Sequence, residues 1–356
     1  MTTIHMILSP EASGEVVMDL DDLDGEAAGG GCRAGFLGLC RGLSAFGYEV
    51  SAFSTFKQER VERDGVTYHR LPATVGTAQV ALAFYDTSPL RFAPLSTLRI
   101  ASHHTFDLRD AMEWTDVNTA PSAYAVEKMR PVYDTHAPWY VLPNAVGSML
   151  PAAPVAGRVL YHTSPSRGLH HLVAAWPRIR AAVPGATLHI VGAVKSWIAA
   201  MLPPPQAGQA SPMRQALRAM DLGRALPAAM AAGGVTFLDV LPRRELLREI
   251  SEAACFAFPC DTVMPAETFS VSVMECCAAG VPVVLRPTDA LGSIYEGAVQ
   301  FADLGDAFSD AVVRVLTDQE HALELARRGR VLAERYTFEN MASTLDKIIR
   351  KELRAR

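Results

Sequence analysis

Apolar positions along the chain fall into short unbroken runs that alternate with longer stretches at helical spacing. Thr3–Leu8, Glu49–Ser54, Val80–Phe84 and Leu98–Ser102 read as strands. Between the first two, Arg33–Phe46 carries Phe36, Leu39, Cys40, Leu43 and Phe46 at helical intervals, and Gly47 follows as a natural C-cap. The pattern predicts a further helix over Ala120–Met129 and a short strand over Trp139–Leu142. A Pro- and Ala-rich stretch from Pro151 to Gly157 interrupts the series, so the domain boundary is placed there, giving domains 1–150 and 151–337.

A second series follows. Arg158–Tyr161, Thr187–Val191, Val235–Leu238, Cys255–Phe258 and Val281–Val284 read as strands. Leu169–Ala182, with Leu172, Val173, Trp176 and Ile179 on one face, reads as a helix, as does Arg243–Ser251. Residues 199–232, rich in Pro, Ala and Gly, are read as a loop plus a short helix. Ala326–Arg350 is a long amphipathic stretch interrupted near Tyr336–Phe338. Repeated strand–helix units imply an α/β chain of two Rossmann-like lobes, each a parallel sheet covered by helices, with a cleft at the carboxyl ends of the strands.

The 356 residues are 49% hydrophobic, enough for two packed cores, and the net charge of −5 gives no bulk electrostatic case for nucleic acid. There is no run of eighteen apolar residues to span a membrane. Met1–Ser9 lacks the basic and long apolar regions of a signal peptide and reads as a buried strand, so the expected location is cytoplasmic. The six cysteines show no paired zinc spacing and are expected to be buried free thiols.

The chemistry concentrates between Pro265 and Val284. Glu267 and Glu275 stand eight positions apart around a helix start, and Gly280 and Pro282 close that helix. At about 100° per residue, Glu275 lies roughly two turns beyond Glu267 and some 80° round the axis. The amides of Phe269, Ser270 and Val271 would sit at the helix mouth, where the dipole favours a phosphate. Glu275 could then hold a ribose diol. The plainer alternative is an amphipathic helix with two solvated glutamates. Arg167, at the start of another helix, opposes the dipole as a structural residue but suits a phosphate as a binding one.

Four stretches taken together resemble the family-four glycosyltransferases of the GT-B fold. They are Gly157–Leu169, Leu188–Gly192, Val235–Pro242 and Glu267–Glu275. The resemblance implies a retaining, metal-independent transfer of a sugar from a nucleotide-diphosphate sugar to a hydroxyl-bearing acceptor, with no separate cofactor. That acceptor is a small molecule, a glycan or a lipid-linked species. Arg167 stands at the family's phosphate-binding lysine position and His162 at its arginine position, a departure that Ser164 and Ser166 could offset with hydroxyl donors. The resemblance also gives Glu275 the ribose and Glu267 the sugar hydroxyls. Phe269, Ser270 and Val271 receive the diphosphate, and the backbone of Val240 and Leu241 the base. From the first lobe it brings Gly30 and Gly31 to the donor phosphates and a histidine to the donor sugar. His103 is favoured there over His104 because it comes first after its strand.

Other features carry less. Gly29–Ala34 fits a dinucleotide-binding fingerprint, but about twenty residues separate it from the first strand and no acid lies near position 51. Asp107 is a weaker candidate for the acceptor. The acidic run at Asp19, Asp21, Asp22 and Asp24 reads as a solvated loop beside the acceptor site, with a lid or a contact for a cationic acceptor as the sharper reading. The last helix, about 338–356, resembles the family's closing helix, which packs back on the first lobe. With Arg327, Arg328, Arg330, Arg350, Lys351, Arg354 and Arg356 the C-terminal stretch could touch an anionic membrane, although a solvated helix end is the expected state. Two further classes are open at this stage: a sugar-nucleotide epimerase or hydrolase on the same fold, and a non-catalytic nucleotide-sugar binder.

Overall fold

The structure, a computed structural model, describes residues 2–10, 17–20, 31–85, 87–93, 95–106, 114–133, 136–201, 210–262 and 266–356. The chain divides into two compact units. The first takes in Met1–Gly147, Ala266–Val271 and Arg335–Arg356, and the second takes in Ser148–Pro265 and Ser272–Glu334.

In the first unit, β1 (Thr3–Ile7), β2 (Glu49–Ser54), β3 (Arg60–Arg63), β4 (Val66–Arg70), β5 (Val80–Tyr85), β6 (Leu98–His103), β7 (Val117–Ala120) and β8 (Trp139–Val141) form one sheet. Its order is β3-β4-β2-β1-β5-β6-β7-β8, and every pair is parallel except β3 with β4. That antiparallel hairpin lay outside the sequence reading. Its signature is the Asp64-Gly65 turn, where both residues take positive φ, 52° and 73°. Helix α1 (Gly31–Ala45) buries Phe36, Leu39, Cys40 and Leu43 against the sheet. The expected helix over Ala120–Met129 is corrected. Val117–Ala120 pairs as strand β7, and the helix α2 (Ala123–Met129) starts only after Ser122, whose Oγ accepts from the Ala125 amide at 3.1 Å.

The C-terminal helix, Phe338–Arg354, completes the core of this unit. Met341, Ala342, Leu345, Ile348 and Ile349 join Ile4, Leu39 and Leu43 in one apolar cluster. Two glycines let the helices meet. A Cβ on Gly38 would come within 2.3 Å of the Phe338 ring, and one on Gly42 within 3.0 Å of the Phe338 carbonyl. The Tyr48 hydroxyl donates to Asp346 at 2.8 Å.

The second unit holds β9 (Arg158–Tyr161), β10 (Thr187–Val191), β11 (Val235–Leu238), β12 (Cys255–Phe258), β13 (Val283–Leu285) and β14 (Gln300–Phe301). All pairs are parallel, in the order β11-β10-β9-β12-β13-β14. The helices are α3 (Leu169–Ala182), α4 (Val194–Met201), α5 (Ala210–Ala232), α6 (Arg243–Ser251), α7 (Val271–Ala279), α8 (Leu291–Ile294), α9 (Asp306–Thr317) and α10 (Gln319–Ala333). Residues 199–232 are corrected here. Instead of a loop with a short helix they hold the 23-residue α5, which continues through Pro227. Alanine, leucine, methionine and arginine dominate it, so summed helix propensity outweighs the interior Pro227 and one glycine.

The chain runs outward from β9 to β10 and β11, then returns to lay β12 on the other side of β9. The point of reversal therefore lies between β9 and β12. In open α/β sheets ligands bind beyond the carboxyl ends of the strands at this place. The corresponding reversal in the first sheet lies between β1 and β5.

Candidate functional site

β9 ends at Tyr161, and residues 162–168 make the turn into α3. The Tyr161 hydroxyl donates to the Ser164 carbonyl at 2.8 Å, and the Arg167 amide donates to the same carbonyl at 3.0 Å. The hydroxyls of Ser164 and Ser166 share a hydrogen bond of 2.9 Å. Arg167 is half-buried in this turn. Gly168 closes it at φ +104°, and a Cβ there would lie 2.0 Å from the Pro259 carbonyl oxygen just past β12. Left-handed backbone and contact with a main-chain atom both demand glycine. Gly168→Ala should therefore cost about 3 kcal/mol or more in chemical denaturation, since strain and steric displacement add. An unchanged denaturation midpoint would show that the turn is looser than its geometry implies.

Helix α7 begins at Val271, directly after Ser270, whose φ of +65° is unusual for a residue with a side chain. The first-turn amides of a helix have no partner within it. Glu275, one turn in, is 5% exposed, and its Oε1 lies 2.6 Å from Arg243 Nη1 at the start of α6. Burial raises the Glu275 pKa and the Arg243 guanidinium acts against that rise. Glu267 is buried as well, so neither glutamate is the solvated residue of the plainer reading.

His162 comes to the same place. Its Nε2 shares a hydrogen bond with Cys276 Sγ at 3.3 Å, its ring packs on Phe256 with centroids 4.8 Å apart, and its carbonyl accepts from Ser272 Oγ at 3.3 Å. Burial, with the Arg243 charge beside it, pushes the His162 pKa down to about 3. The imidazole is neutral at pH 7 and brings no cation. The second unit thus gathers His162, Arg243, Ser272, Glu275 and Cys276 from three segments. Arg243 was missed in the sequence, although two arginines opening a helix against its dipole are the same signal that marked Arg167.

The base-binding expectation fell on Val240 and Leu241. Val240 is 67% exposed, its amide donates to the Asp239 carboxylate at 2.8 Å, and Leu241 is half-buried.

In the first unit, the segment 266–271 packs into its own surroundings. Thr268 Oγ1 donates to the His104 carbonyl at 3.1 Å, and Phe269 meets Tyr336 edge-on at 5.2 Å. A Cβ on Gly31, the first residue of α1, would lie 3.1 Å from the Val271 side chain. His103 is buried with both ring nitrogens engaged: Nε2 with Asn118 Oδ1 at 2.9 Å and Nδ1 with the Tyr133 hydroxyl at 3.1 Å. Burial holds it neutral, with its pKa pushed down to about 4. His104 is half-buried, stacks 5.7 Å from Tyr85 with the rings nearly parallel, and bonds to Ser102 Oγ through Nε2. Burial pushes the His104 pKa down to about 3, below that of His103, although its side chain keeps more surface. Asp19 is paired with Lys57 at 2.7 Å and Gln58 at 2.8 Å. Gly29, Gly30, Asp21, Asp22, Asp24 and Asp107 lie outside the described residues.

Among the described residues, His170, His171 and Asp261 bring ligand-type atoms within 4.8 Å of one another. Arg218 Nη2 and Arg286 Nη1 each stand 3.3 Å from an Asp261 oxygen. Two guanidinium groups on one carboxylate make this an ion-pair hub, because a metal ion there would be repelled by both.

Residues 154–318 match the family described as glycosyl transferases group 1. A GDP-mannose-dependent alpha-(1-6)-phosphatidylinositol monomannoside mannosyltransferase of Mycobacterium tuberculosis is 27% identical over 275 residues, 70% of this chain and 65% of that protein. The chain thus spans about 65% of the length of the curated relatives it matches. Among solved structures, sucrose-phosphate synthase from Thermosynechococcus elongatus superposes over 100% of both chains with a TM-score of 0.73 at 16% identity. AviGT4, a glycosyltransferase involved in avilamycin A biosynthesis, covers 100% of this chain and 99% of its own, with a TM-score of 0.67 at 18% identity. These likenesses show the GT-B fold. The GT-B likeness thus extends over the whole chain, and the match to the group 1 glycosyl transferases covers most of the second unit.

Proposed function

We propose that the protein moves a sugar from a nucleoside diphosphate sugar to a hydroxyl-bearing acceptor, with retention of configuration and without a metal. The observation that carries this reading is Glu275, buried on α7 and held by Arg243, on a helix whose start follows the strained Ser270. A carboxylate fixed in this way is preorganised to accept from the two hydroxyls of a ribose. Arg167, in the turn at the sheet's reversal point, and the amides of Phe269, Ser270 and Val271 serve the diphosphate. Ser164 and Ser166 add hydroxyl donors, and His162 packs beneath. Val240 and Leu241 meet the base through their backbone. Glu267 serves the sugar hydroxyls, and the family resemblance adds Gly30, Gly31 and a histidine, His103 or its neighbour His104.

In the reaction the bond from the anomeric carbon to the phosphate oxygen breaks and one to the acceptor oxygen forms. The acceptor loses its proton, and the departing diphosphate takes the electron pair. Fixed positive charge at that oxygen lowers the barrier. The mannosyltransferase relative makes GDP-mannose the first donor to try, and its lipid acceptor keeps a lipid-linked or glycan acceptor in view beside small molecules. The six cysteines are free thiols, which suits a reducing, cytoplasmic setting. No helix among the described residues is long and apolar enough to cross a membrane.

A thermal-shift screen against uridine, guanosine, adenosine and thymidine diphosphates tests the binding step. The preferred donor is then incubated with and without acceptors. Sugar transfer that needs acceptor supports the reading. Donor consumed equally without acceptor would instead mark an epimerase or hydrolase, and tight binding with no product a non-catalytic binder.

A further inference from the structure

We propose that Arg218 and Asp261 form a brace behind the Ser164–Arg167 turn and act as positioning residues for the donor diphosphate. This rests on the donor reading above. Arg218 comes from α5, 52 positions after Ser166, and its Nη1 donates to the Ser166 carbonyl at 2.7 Å. Its other arm, Nη2, faces Asp261 Oδ2 at 3.3 Å, and the side chain is 11% exposed. Asp261 follows β12 and is gripped from three directions. Arg218 Nη2 faces one oxygen as an ion pair without a hydrogen bond, His171 Nε2 approaches the same oxygen at 3.3 Å, and Arg286 Nη1 reaches the other at 3.3 Å. Arg286 also donates to the Cys260 carbonyl at 3.2 Å, and Thr288 Oγ1 to the same carbonyl at 2.9 Å.

The two loops so joined are those that leave β9 and β12, the strands on either side of the sheet's reversal point. The carbonyl held by Arg218 belongs to the residue directly before Arg167, so the brace fixes the peptide that aims that side chain. A guanidinium suits the task because its planar fork serves two partners in fixed directions. An arginine that acts through its neighbour should leave ribose and base binding alone and weaken the phosphate contribution. A displacement of order 1 Å at a charged contact is enough to lose one to two decades.

The test is calorimetric binding of UDP, uridine, GDP and guanosine to wild type, Arg218→Met, Asp261→Asn and Arg218→Lys. The brace predicts that the diphosphate-over-nucleoside affinity ratio falls about tenfold or more in Arg218→Met and in Asp261→Asn. It also predicts nucleoside affinity within about twofold of wild type, and a combined variant no worse than Arg218→Met alone. Arg218→Lys keeps the charge but cannot reach both partners, so it should fall between. It also supplies the measurement if Arg218→Met does not fold. A merely structural role would lower thermal stability and leave the ratio unchanged; that result in folded variants overturns the brace and leaves the donor reading standing. Wild-type protein that binds neither diphosphate overturns the donor reading and the brace with it.

Discussion

Arg167→Ala should lower kcat/KM by about two decades or more, a loss carried by kcat as well as KM. The leaving diphosphate gains charge as the glycosidic bond breaks, so a cation fixed beside it contributes more in the transition state than in the ground state. His162 cannot substitute, because it is buried, neutral and bonded to Cys276. Arg167→Lys restores the charge without the bidentate fork and should recover part of the loss. Steady-state kinetics on the three proteins checks this, and wild-type turnover by the alanine variant would remove Arg167 from the mechanism.

Glu275→Leu should destabilise the fold by about 3–5 kcal/mol and raise the donor KM sharply, for two separable reasons. Removing the carboxylate leaves Arg243 buried without its partner, and breaking one side of a buried pair costs far more than replacing both. The carboxylate is also the proposed ribose ligand. Arg243→Met combined with Glu275→Leu should therefore recover most of the stability and none of the donor affinity. Denaturant titration and nucleoside diphosphate binding on the single and double variants separate the effects. A double variant that regained donor binding would show that Glu275 only balances Arg243.

The second unit was the more legible. Arg158–Tyr161, Leu169–Ala182, Thr187–Val191, Val235–Leu238, Arg243–Ser251 and Cys255–Phe258 occur with the bounds their patterns imply, because buried parallel strands are short pure apolar runs and their helices carry one clear face. The misses have local causes. Residues 60–70 are mostly polar, so only the Asp64-Gly65 turn announces the hairpin. In 199–232, prolines and glycines drew attention from a strong alanine-based propensity. At the site, residue types and spacing pointed to Glu275 and Arg167, whereas partners set by packing did not show. Nothing in the sequence tells that Arg243 reaches Glu275 or that Arg218 reaches Ser166, because those pairs lie 32 and 52 positions apart. His103 and His104 are adjacent in sequence, and only their packing partners distinguish them, Asn118 and Tyr133 for the first and Ser102 and Tyr85 for the second.

The closing helix has a consequence for how the polypeptide is made. Met341, Leu345 and Ile349 are core residues of the first unit, yet a ribosome delivers them after the whole of the second. The amino-terminal sheet must wait, with the α1 groove uncovered, until residues 335–356 have been translated. A nascent chain stalled before that point should be held by chaperones or degraded. Expression of 1–147 alone should likewise give aggregated material, whereas the same segment supplied with the missing helix as a separate peptide should become soluble.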